Sequence, residues 1–500
     1  MGLEGKILTV IEPTLKLDEL KFKAYNEKEG DNPGDNNTTR ELGIEFPLVV
    51  INGYRFFEND IKALEIELSS AIPTLSLSLV DNKGIFTADN FPRDGDVVNV
   101  RIASKAKNDY KDIRIDFDID DIDSPPASSI TRGGDGGVAK FSITGSMKIP
   151  GINAEQCKSY DTGGTIDHLE SIATDLKIGL ASNIETTDDA MKLVTPYEPL
   201  IDTITSLVKH SYVGEESFQT FCIDPYYYIN FVDLNLLLDA EEDFEQTLSA
   251  FNKDYNDMIG PDASDKINEQ KSELILSSHN RIAETNLHIA KYSLKNNSGK
   301  AVKKNGYKRT LQFYDNDSEE GMVSFDIEPL TSKKLKDIEE PLKGRRDEDR
   351  YKKEVKFKYM GRRHSDPETS NTHLNYTFAE LHNKQNLDEL DKMYLEIELS
   401  SFNAAIRRYQ KIPVAIFSES VNQVGADALV KKKKESLGFD AKPPADIDDE
   451  LSDKNAIDEF LSGFYVVDTI KYTYTLKSGK IKQTMKLLRR EWPSRLNNLE

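Results

Sequence analysis

Alternation of apolar and polar residues dominates both ends of the chain. FPLVVINGYRFFEND carries two apolar runs hinged on Asn52-Gly53, the dipeptide best suited to a tight hairpin turn. IKALEIELSS puts Leu64, Ile66 and Leu68 on one face and Glu65 and Glu67 on the other. TLSLSLVDNKG repeats the pattern with Leu75, Leu77 and Leu79. GDVVNVRIAS follows, then the acidic KDIRIDFDIDDID, with Ile113, Ile115, Phe117 and Ile119 inward and aspartates outward. After the loop TRGGDGG comes VAKFSITGSMKI. Period-two alternation over so many segments predicts an antiparallel sheet or barrel with one wet face.

The period changes near residue 151. TGGTIDHLESIATDLKIG places Ile166, Leu169, Ile172 and Leu176 on one helical stripe. TPYEPLIDTITSLVKHSYVG predicts a second helix. Thr195 is its N-cap, Pro196 its first residue, and Glu198 completes a capping box. Ile201, Ile204, Val208 and Tyr212 line one face, and Gly214 is the stop. SFQTFCIDPYYYINFVDL comes next, with Asp224-Pro225 fitting the first two positions of a tight turn. Phe218, Thr220 and Cys222 share one face before that turn, and Tyr227, Ile229 and Phe231 share one after it.

Residues 240–270 are polar, helical or irregular. β-like segments return over 271–330, and 333–363 reads as a charged linker plus a strand edge. MYLEIELSS and KIPVAIFSES are strands, and GFYVVDTIKYTYTLKSGKIKQTMKLLRREW is a closing hairpin around Ser478-Gly479. The heptapeptide LEIELSS at 64–70 recurs letter for letter at 395–401. The expected fold class is α+β, mainly β, with β-rich ends around an α/β middle region. The expected divisions are an N-terminal extension with a flexible loop (1–40), a first β-domain (41–150), the middle region (151–345) and a second β-domain (346–500) carrying an insertion at 421–458.

Charge narrows the function classes. The 500 residues suffice for roughly two to four domains. A net charge of −22 repels nucleic acid over most of the surface. That argues against a sequence-specific DNA binder and suits a passage that must not hold DNA. Cys157 and Cys222 make no disulfide framework and fit a reducing cytoplasm. MGLEGKILTV lacks the basic start and apolar core of a signal peptide, and no apolar run is long enough to span a bilayer, so no stable membrane insertion is expected. The sequons at Asn36, Asn37, Asn296 and Asn375 then carry no weight.

Catalytic motifs are scarce. DFDIDDID resembles a calcium loop, but Asp121 stands where that loop needs Gly and Ala127 where it needs Glu, so a strand is the better reading. His373 and His382 are too far apart for a metal pair on one helix turn, and no HExxH, GxSxG, Walker or dinucleotide motif occurs. Carboxylate pairs are too common in so acidic a chain to point to glycoside hydrolysis. Lys431–Lys434 and Gly361-Arg362-Arg363 read as solvated faces, and Trp492 as an apolar lid or an interface anchor. No catalytic, metal or cofactor-binding residue is assigned, and no cofactor is expected. A base-stacking platform pairs aromatics with Lys and Arg. The aromatic stretch has no basic residue and lies among Asp224, Asp233 and Asp239, so it reads as a hairpin packed on the preceding helix.

The capped helix leading into FQTFCIDPYYYINFVD, together with GFYVVDTIKYTYTLKSGKIKQTMKLLRREW at the end, resembles the baseplate central hub proteins of contractile-tailed bacteriophages. That tail-tube-like plan recurs in type VI spike hub domains. The resemblance covers residues 41–240 and 350–492 in plan. It implies two tail-tube-like antiparallel β-barrel domains per chain. It also implies a homotrimer whose six similar domains form a ring between a threefold spike and a sixfold tail tube. The implied partners are spike and tail-tube or tube-initiator proteins, with DNA passing through the lumen in non-specific contact. The implied location is the virion tail baseplate, after assembly in the host cytoplasm.

In that frame the LEIELSS echo falls in matching strands. Leu64, Ile66, Leu68, Leu395, Ile397 and Leu399 then mark candidate inter-domain or inter-subunit strands, and Asp116, Asp118 and Asp120 are candidate lumen-facing acids. No lysozyme or spike-helix segment is recognisable, so a structural, non-catalytic role is expected. Two other readings stay open. A receptor- or carbohydrate-binding tail protein would expose Tyr226, Tyr227 and Tyr228 in a groove; a polysaccharide hydrolase would face two carboxylates across a cleft.

Overall fold

The computed structural model describes residues 7–20, 23–24, 46–81, 86, 91–93, 95–103, 112–123, 139–238, 276–278, 286–297, 300, 308–315, 322–327, 354–361, 370–417, 458, 460–490 and 492. The loop at 25–40, the GGDGG loop, residues 240–270, Arg362-Arg363 and Lys431–Lys434 lie outside that set. The chain opens with β1 (Leu8–Ile11) and β2 (Lys23–Ala24). A β-rich part follows: β3 (Leu48–Ile51), β4 (Tyr54–Phe56), β5 (Ile61–Leu68), β6 (Thr74–Asp81), β7 (Val97–Ile102), β8 (Ile113–Asp123) and β9 (Ala139–Met147). The middle holds β10 (Glu155–Gln156), β11 (Ser159–Gly163), α1 (Thr165–Leu176), β12 (Gly179–Ser182), β13 (Met191–Val194), β14 (Glu198–Pro199), α2 (Leu200–Lys209), β15 (Gln219–Ile223), β16 (Tyr228–Asp233) and α3 (Leu234–Leu238). Then come β17 (Leu276–Ser277), β18 (Ile289–Asn296), β19 (Lys308–Asp315), β20 (Met322–Ile327), β21 (Glu354–Gly361), α4 (Tyr376–Leu390), β22 (Met393–Leu399), β23 (Lys411–Ala415), β24 (Gly463–Thr475) and β25 (Ile481–Leu488).

The two β-rich ends join in one curled, almost wholly antiparallel sheet of 14 strands. Its order is β18-β22-β25-β24-β5-β6-β9-β8-β7-β3-β4-β2, with β23 beside the start of β24 and β17 beside β23. The alternation in sequence sets its faces. Leu64, Ile66, Leu68, Leu75, Leu77 and Leu79 are buried, as are Leu395, Ile397 and Leu399, while the residues between them point to the wet side. Asn52 and Gly53 both take positive φ (51° and 78°), as the β3–β4 hairpin turn requires.

This sheet contains one five-strand unit twice. The strands β5, β6, β7, β8 and β9 lie in the spatial order β5-β6-β9-β8-β7. The strands β18, β22, β23, β24 and β25 lie in the corresponding order β18-β22-β25-β24-β23, again antiparallel throughout. Two β-bulges confirm the match. Register slips between Ile61 and Ala63 in β5 and between Ile289 and Lys291 in β18. It slips again between Ile119 and Asp121 in β8 and between Val467 and Thr469 in β24. Bulges are specific, positioned features, so a coincident pair is strong support for duplication. Aligned on them, Asp120 matches Asp468, and Leu75-Ser76-Leu77-Ser78-Leu79 of β6 matches Leu395-Glu396-Ile397-Glu398-Leu399 of β22.

Two expectations are corrected here. The copies of LEIELSS do not sit in equivalent strands: the first is in β5, the counterpart of β18, and the second in β22, the counterpart of β6. Any half-buried strand converges on that alternation, so the letters coincided where the topology did not. The second unit also starts upstream of residue 346, because β18 is its first strand.

In the middle region, β1, β12, β16 and β15 form a four-stranded sheet in that order, with β12 parallel to β16. The α1 stripe of Ile166, Leu169, Ile172 and Leu176 is buried as the sequence predicts. The second helix begins at Leu200 rather than Pro196. Fully buried Thr195 is used elsewhere: its N–H donates to Lys158 O (2.9 Å) and its hydroxyl to Gln156 O (3.0 Å). Glu198–Pro199 then pairs with β10, which leaves Pro199 as the helix entry. The helix α4 docks through polar groups. His373 Nε2 donates to His210 O (2.9 Å) and His382 Nε2 to Ser217 O (3.1 Å), and the His210 ring stacks on Tyr376 at 3.7 Å. Burial holds the pKa of all three histidines below the usual value, so they act as neutral hydrogen-bonding pins.

Candidate functional site

The two five-strand units are joined by one pair of strands. β5, the outermost strand of the first unit, lies antiparallel against the far half of β24, past the bulge at Asp468. Leu64 faces Tyr474, Ile66 faces Tyr472 and Leu68 faces Ile470, all on the buried side. Phe402 meets the Tyr472 ring edge-on at 5.2 Å. On the wet side Glu67 stands opposite Lys471, and Lys471 Nζ reaches Glu65 Oε1 at 2.5 Å.

Arg408 clamps this seam. Its Nε donates to Asp468 O (2.5 Å), its Nη1 to Ser70 O (2.5 Å) and its Nη2 to Ser69 O (2.9 Å). One guanidinium thus ties the end of β5 to the bulge of β24, using the donor fork that distinguishes Arg from Lys. Lys486 adds an ion pair to Asp468 at 3.0 Å.

The aromatic hairpin of the middle region caps the same place. Asp224 is buried, and its Oδ1 accepts the N–H groups of Tyr226 (2.9 Å) and Tyr228 (3.0 Å), which closes the turn. Desolvation raises its carboxyl pKa, opposed by those hydrogen bonds. Ile223 N–H donates to Ala71 O (2.7 Å), in the β5–β6 connection. The Tyr227 hydroxyl accepts the Asp116 N–H (3.4 Å) beside the point where β9 leaves β8. Arg407 lies over the Tyr226 ring at 4.9 Å, and the Tyr409 and Thr220 hydroxyls bond at 3.2 Å. The Tyr228 ring lies on Gly179, where an added Cβ would meet it at 2.4 Å, and its hydroxyl bonds Glu12. Tyr227 is buried and Tyr226 and Tyr228 are half-buried, so the three tyrosines form a wedge and not an open groove.

The structure thus puts Leu64, Ile66 and Leu68 at the seam. Leu395, Ile397 and Leu399 lie inside the second unit, between β18 and β25. Of the three acids, Asp116 is buried beside Arg114, whereas Asp118 is partly exposed next to Lys148 (3.3 Å) and Asp120 is exposed at the bulge. Arg407 and Arg408 escaped the sequence reading. The available signal was an arginine pair, AAIRRYQK, set between apolar segments of an acidic chain. Trp492 packs against Tyr465 (5.9 Å) and Phe460 (5.7 Å). Among the described residues no group of His, Cys, Asp and Glu is placed to hold a metal ion, and no helix is long and apolar enough to cross a membrane.

The seam leaves two matching edges. On the bulge alignment Ile122 and Asp123, at the end of β8, are the counterparts of Ile470 and Lys471, where β5 begins to cover β24, and β18 is the counterpart of β5. Neither the outer side of β18 from Lys291 to Lys295 nor the β7 side of β8 past Asp118 has a strand beside it among the described residues.

No protein-family model and no curated protein matches the chain. Among solved structures it is similar to the 43 kDa tail protein of prophage MuSo2 from Shewanella oneidensis, at 9% identity and TM-score 0.46, over 89% of this chain and 98% of that one. It is similar to a tail protein from Neisseria meningitidis MC58 at 8% identity and TM-score 0.46, over 89% and 96% of the two chains. A component of the type VI secretion system from E. coli, described as structurally similar to T4 bacteriophage tail proteins, is matched at 8% identity and TM-score 0.39, over 89% and 79%.

Proposed function

We propose that the chain is a structural, non-catalytic component of a phage-type tail assembly that closes with copies of itself into a ring. The observation that carries this reading is the β5–β24 seam. One chain already joins two copies of a five-strand unit edge to edge, and among the described residues the outer side of β18 and the β7 side of β8 past Asp118 have no strand beside them. Repeating such a head-to-tail joint closes a ring when the rotation per unit allows it and otherwise grows a filament. Three copies would supply six units, the number that the hub resemblance implies. The same resemblance supplies the spike and tube partners and the place in a virion tail baseplate.

The wet face of the sheet would line the lumen. An open hollow of about 260 Å³ lies on it, bordered by Glu65, Glu67, Ser76, Thr144 and Asp120. Exposed carboxylates there suit non-specific passage of DNA, because they repel the phosphate backbone. Native mass spectrometry with negative-stain imaging of the full chain tests the proposal. A closed trimer with a central opening is expected, alone or on mixing with its spike partner. A chain that stays monomeric under both conditions overturns it.

A further inference from the structure

The helix α4 is fastened differently at its two ends. Towards the C-terminus, Leu387 and Leu390 join an apolar cluster with Phe218, Val232, Leu234 and Leu237. Towards the N-terminus, the contacts with Lys209–Gln219 are mainly polar and aromatic. Asn383 Nδ2 donates to Ser211 O (3.0 Å), its Oδ1 accepts the Gln219 N–H (3.2 Å), and Lys209 Nζ pairs with Glu380 (2.7 Å). The rings of His210, His373 and His382 supply the rest, and all three are buried.

A second proton has a different consequence on each ring. His373 has both nitrogens committed: Nε2 donates to His210 O (2.9 Å) and Nδ1 accepts the Asn375 N–H (3.2 Å). A proton on Nδ1 would face that N–H and break the contact. It would also put positive charge at the N-terminal end of α4, where a helix disfavours it and where the first turn holds no acid. His210 is placed in the opposite sense. It caps the C-terminus of α2, its Nδ1 donates to Tyr376 O (3.0 Å), and its Nε2 lies 4.0 Å from Glu380 Oε2. A proton on that Nε2 gains an ion pair and breaks no bond. His382 donates to Ser217 O through Nε2, which a proton on Nδ1 leaves intact.

We propose that His373 is a pH-sensitive catch: neutral, it holds the N-terminal part of α4 on the middle region, and protonated in mild acid it lets that part lift while Leu387 and Leu390 stay seated. Among the described residues, Asp188, Asp189 and the His210 ring face His373; Glu380 and Lys209 face His210, and Glu215 faces His382. The two aspartates favour a charged His373, yet Asp189 is already engaged. Its carboxylate accepts the Thr165 N–H (2.9 Å), the Thr165 hydroxyl (2.6 Å) and the Tyr212 N–H (3.0 Å). Asp188 is exposed. Desolvation outweighs both and holds the pKa of docked His373 below its ordinary value. The lifted ring therefore binds a proton more readily than the docked one. Docking is at full strength above the ordinary histidine pKa of about 6.5. It weakens as pH falls below that, by up to about tenfold per pH unit for one proton, until the docked ring itself is protonated. Because α4 runs directly into β22, the catch sets how firmly the middle region holds the second five-strand unit.

Hydrogen exchange on the full-length chain at pH 7 and pH 5, corrected for the intrinsic exchange rate at each pH, tests this. The amides of residues 376–386 should lose about tenfold in protection at pH 5, while those of β22 and β24 keep theirs. His373→Gln supplies a donor near the Nε2 position and does not titrate, so its protection should be the same at both pH values. His210→Asn keeps a donor near the Nδ1 position and should show the wild-type loss. Wild-type protection unchanged at pH 5 overturns the proposal. So does a His373→Gln chain that loses as much as the wild type, or an equal loss across β22 and β24, which is global acid unfolding. Should His373→Gln fail to dock even at pH 7, the wild-type ring decides. NMR of the chain with isotope-labelled histidine should show His373, identified by its absence from the variant, titrating in the range where protection is lost. A ring that stays neutral through the loss, or whose docked pKa lies above the ordinary value, overturns the catch.

Discussion

β5 and β18 hold the same place in two copies of one five-strand unit, and their surroundings differ completely. β5 is covered on both sides, by β6 and β24, and its inward residues are Leu64, Ile66 and Leu68. Among the described residues β18 is covered on one side, by β22, and the matching residues are Tyr292, Leu294 and Asn296. Topology is shared and composition follows burial. Where the neighbour is part of the same chain, aliphatic side chains fill the contact. Where it is absent, an amphipathic aromatic and flanking lysines take over, as an edge that must stay soluble requires. The difference teaches that one backbone plan can serve a buried seam and an open edge while relying on different forces.

The largest effect should come from emptying the buried side of the seam. Tyr472→Ala removes a fully buried ring between Ile66 and Phe402 and should cost about 3–5 kcal/mol in a denaturant titration. Tyr292→Ala, on the open edge, should change the stability of the single chain by no more than about 0.5 kcal/mol. Equal losses at the two positions would mean that β18 is buried in the isolated chain after all.

A smaller loss is expected from the clamp. Arg408→Ala leaves the carbonyls of Ser69, Ser70 and Asp468 without their shared donor, which should cost about 2 kcal/mol. Arg408→Lys should recover only part of it, since one ammonium cannot reproduce the planar fork. Hydrogen exchange localises the effect. The amides of β5 and of β24 past its bulge should lose protection, while those of β18 and β22 keep theirs.

Much of this architecture was legible in the residues, and the gaps have physical causes. Period-two alternation located β5, β6, β8, β22 and the β24–β25 hairpin because one face of each is buried. The Asp224 turn was legible because its side chain does the closing locally. The partner of each strand was not, since alternation reports a face and not a neighbour. Hence the LEIELSS echo pointed to β5 and β22, whereas the bulges pair β5 with β18 and β6 with β22. The helix α4 was missed for a different reason. Its buried residues include His382, Asn383, Gln385 and Asn386, so no apolar stripe marks it. Thr195-Pro196 misled because a residue suited to capping a helix serves here to hold Gln156 and Lys158. The seam itself combined both failures. It pairs strands about 400 residues apart, and it is tied by an arginine whose partners are backbone carbonyls without a sequence signature.

The smallest expected effect comes from the wet side of the seam. Glu67→Lys gives β5 the charge that Lys295 gives β18, and it now faces Lys471 with like sign. At the seam this should cost only about 0.5–1 kcal/mol, because Glu67 and Lys471 are both partly solvated and the strands are held by the buried tyrosines, by Arg408 and by the chain that connects them. Lys471→Asp in addition should restore most of it, because the facing charges are then opposite again. Raising the salt concentration should shrink the first effect, since exposed charges are screened within about 8 Å at physiological ionic strength.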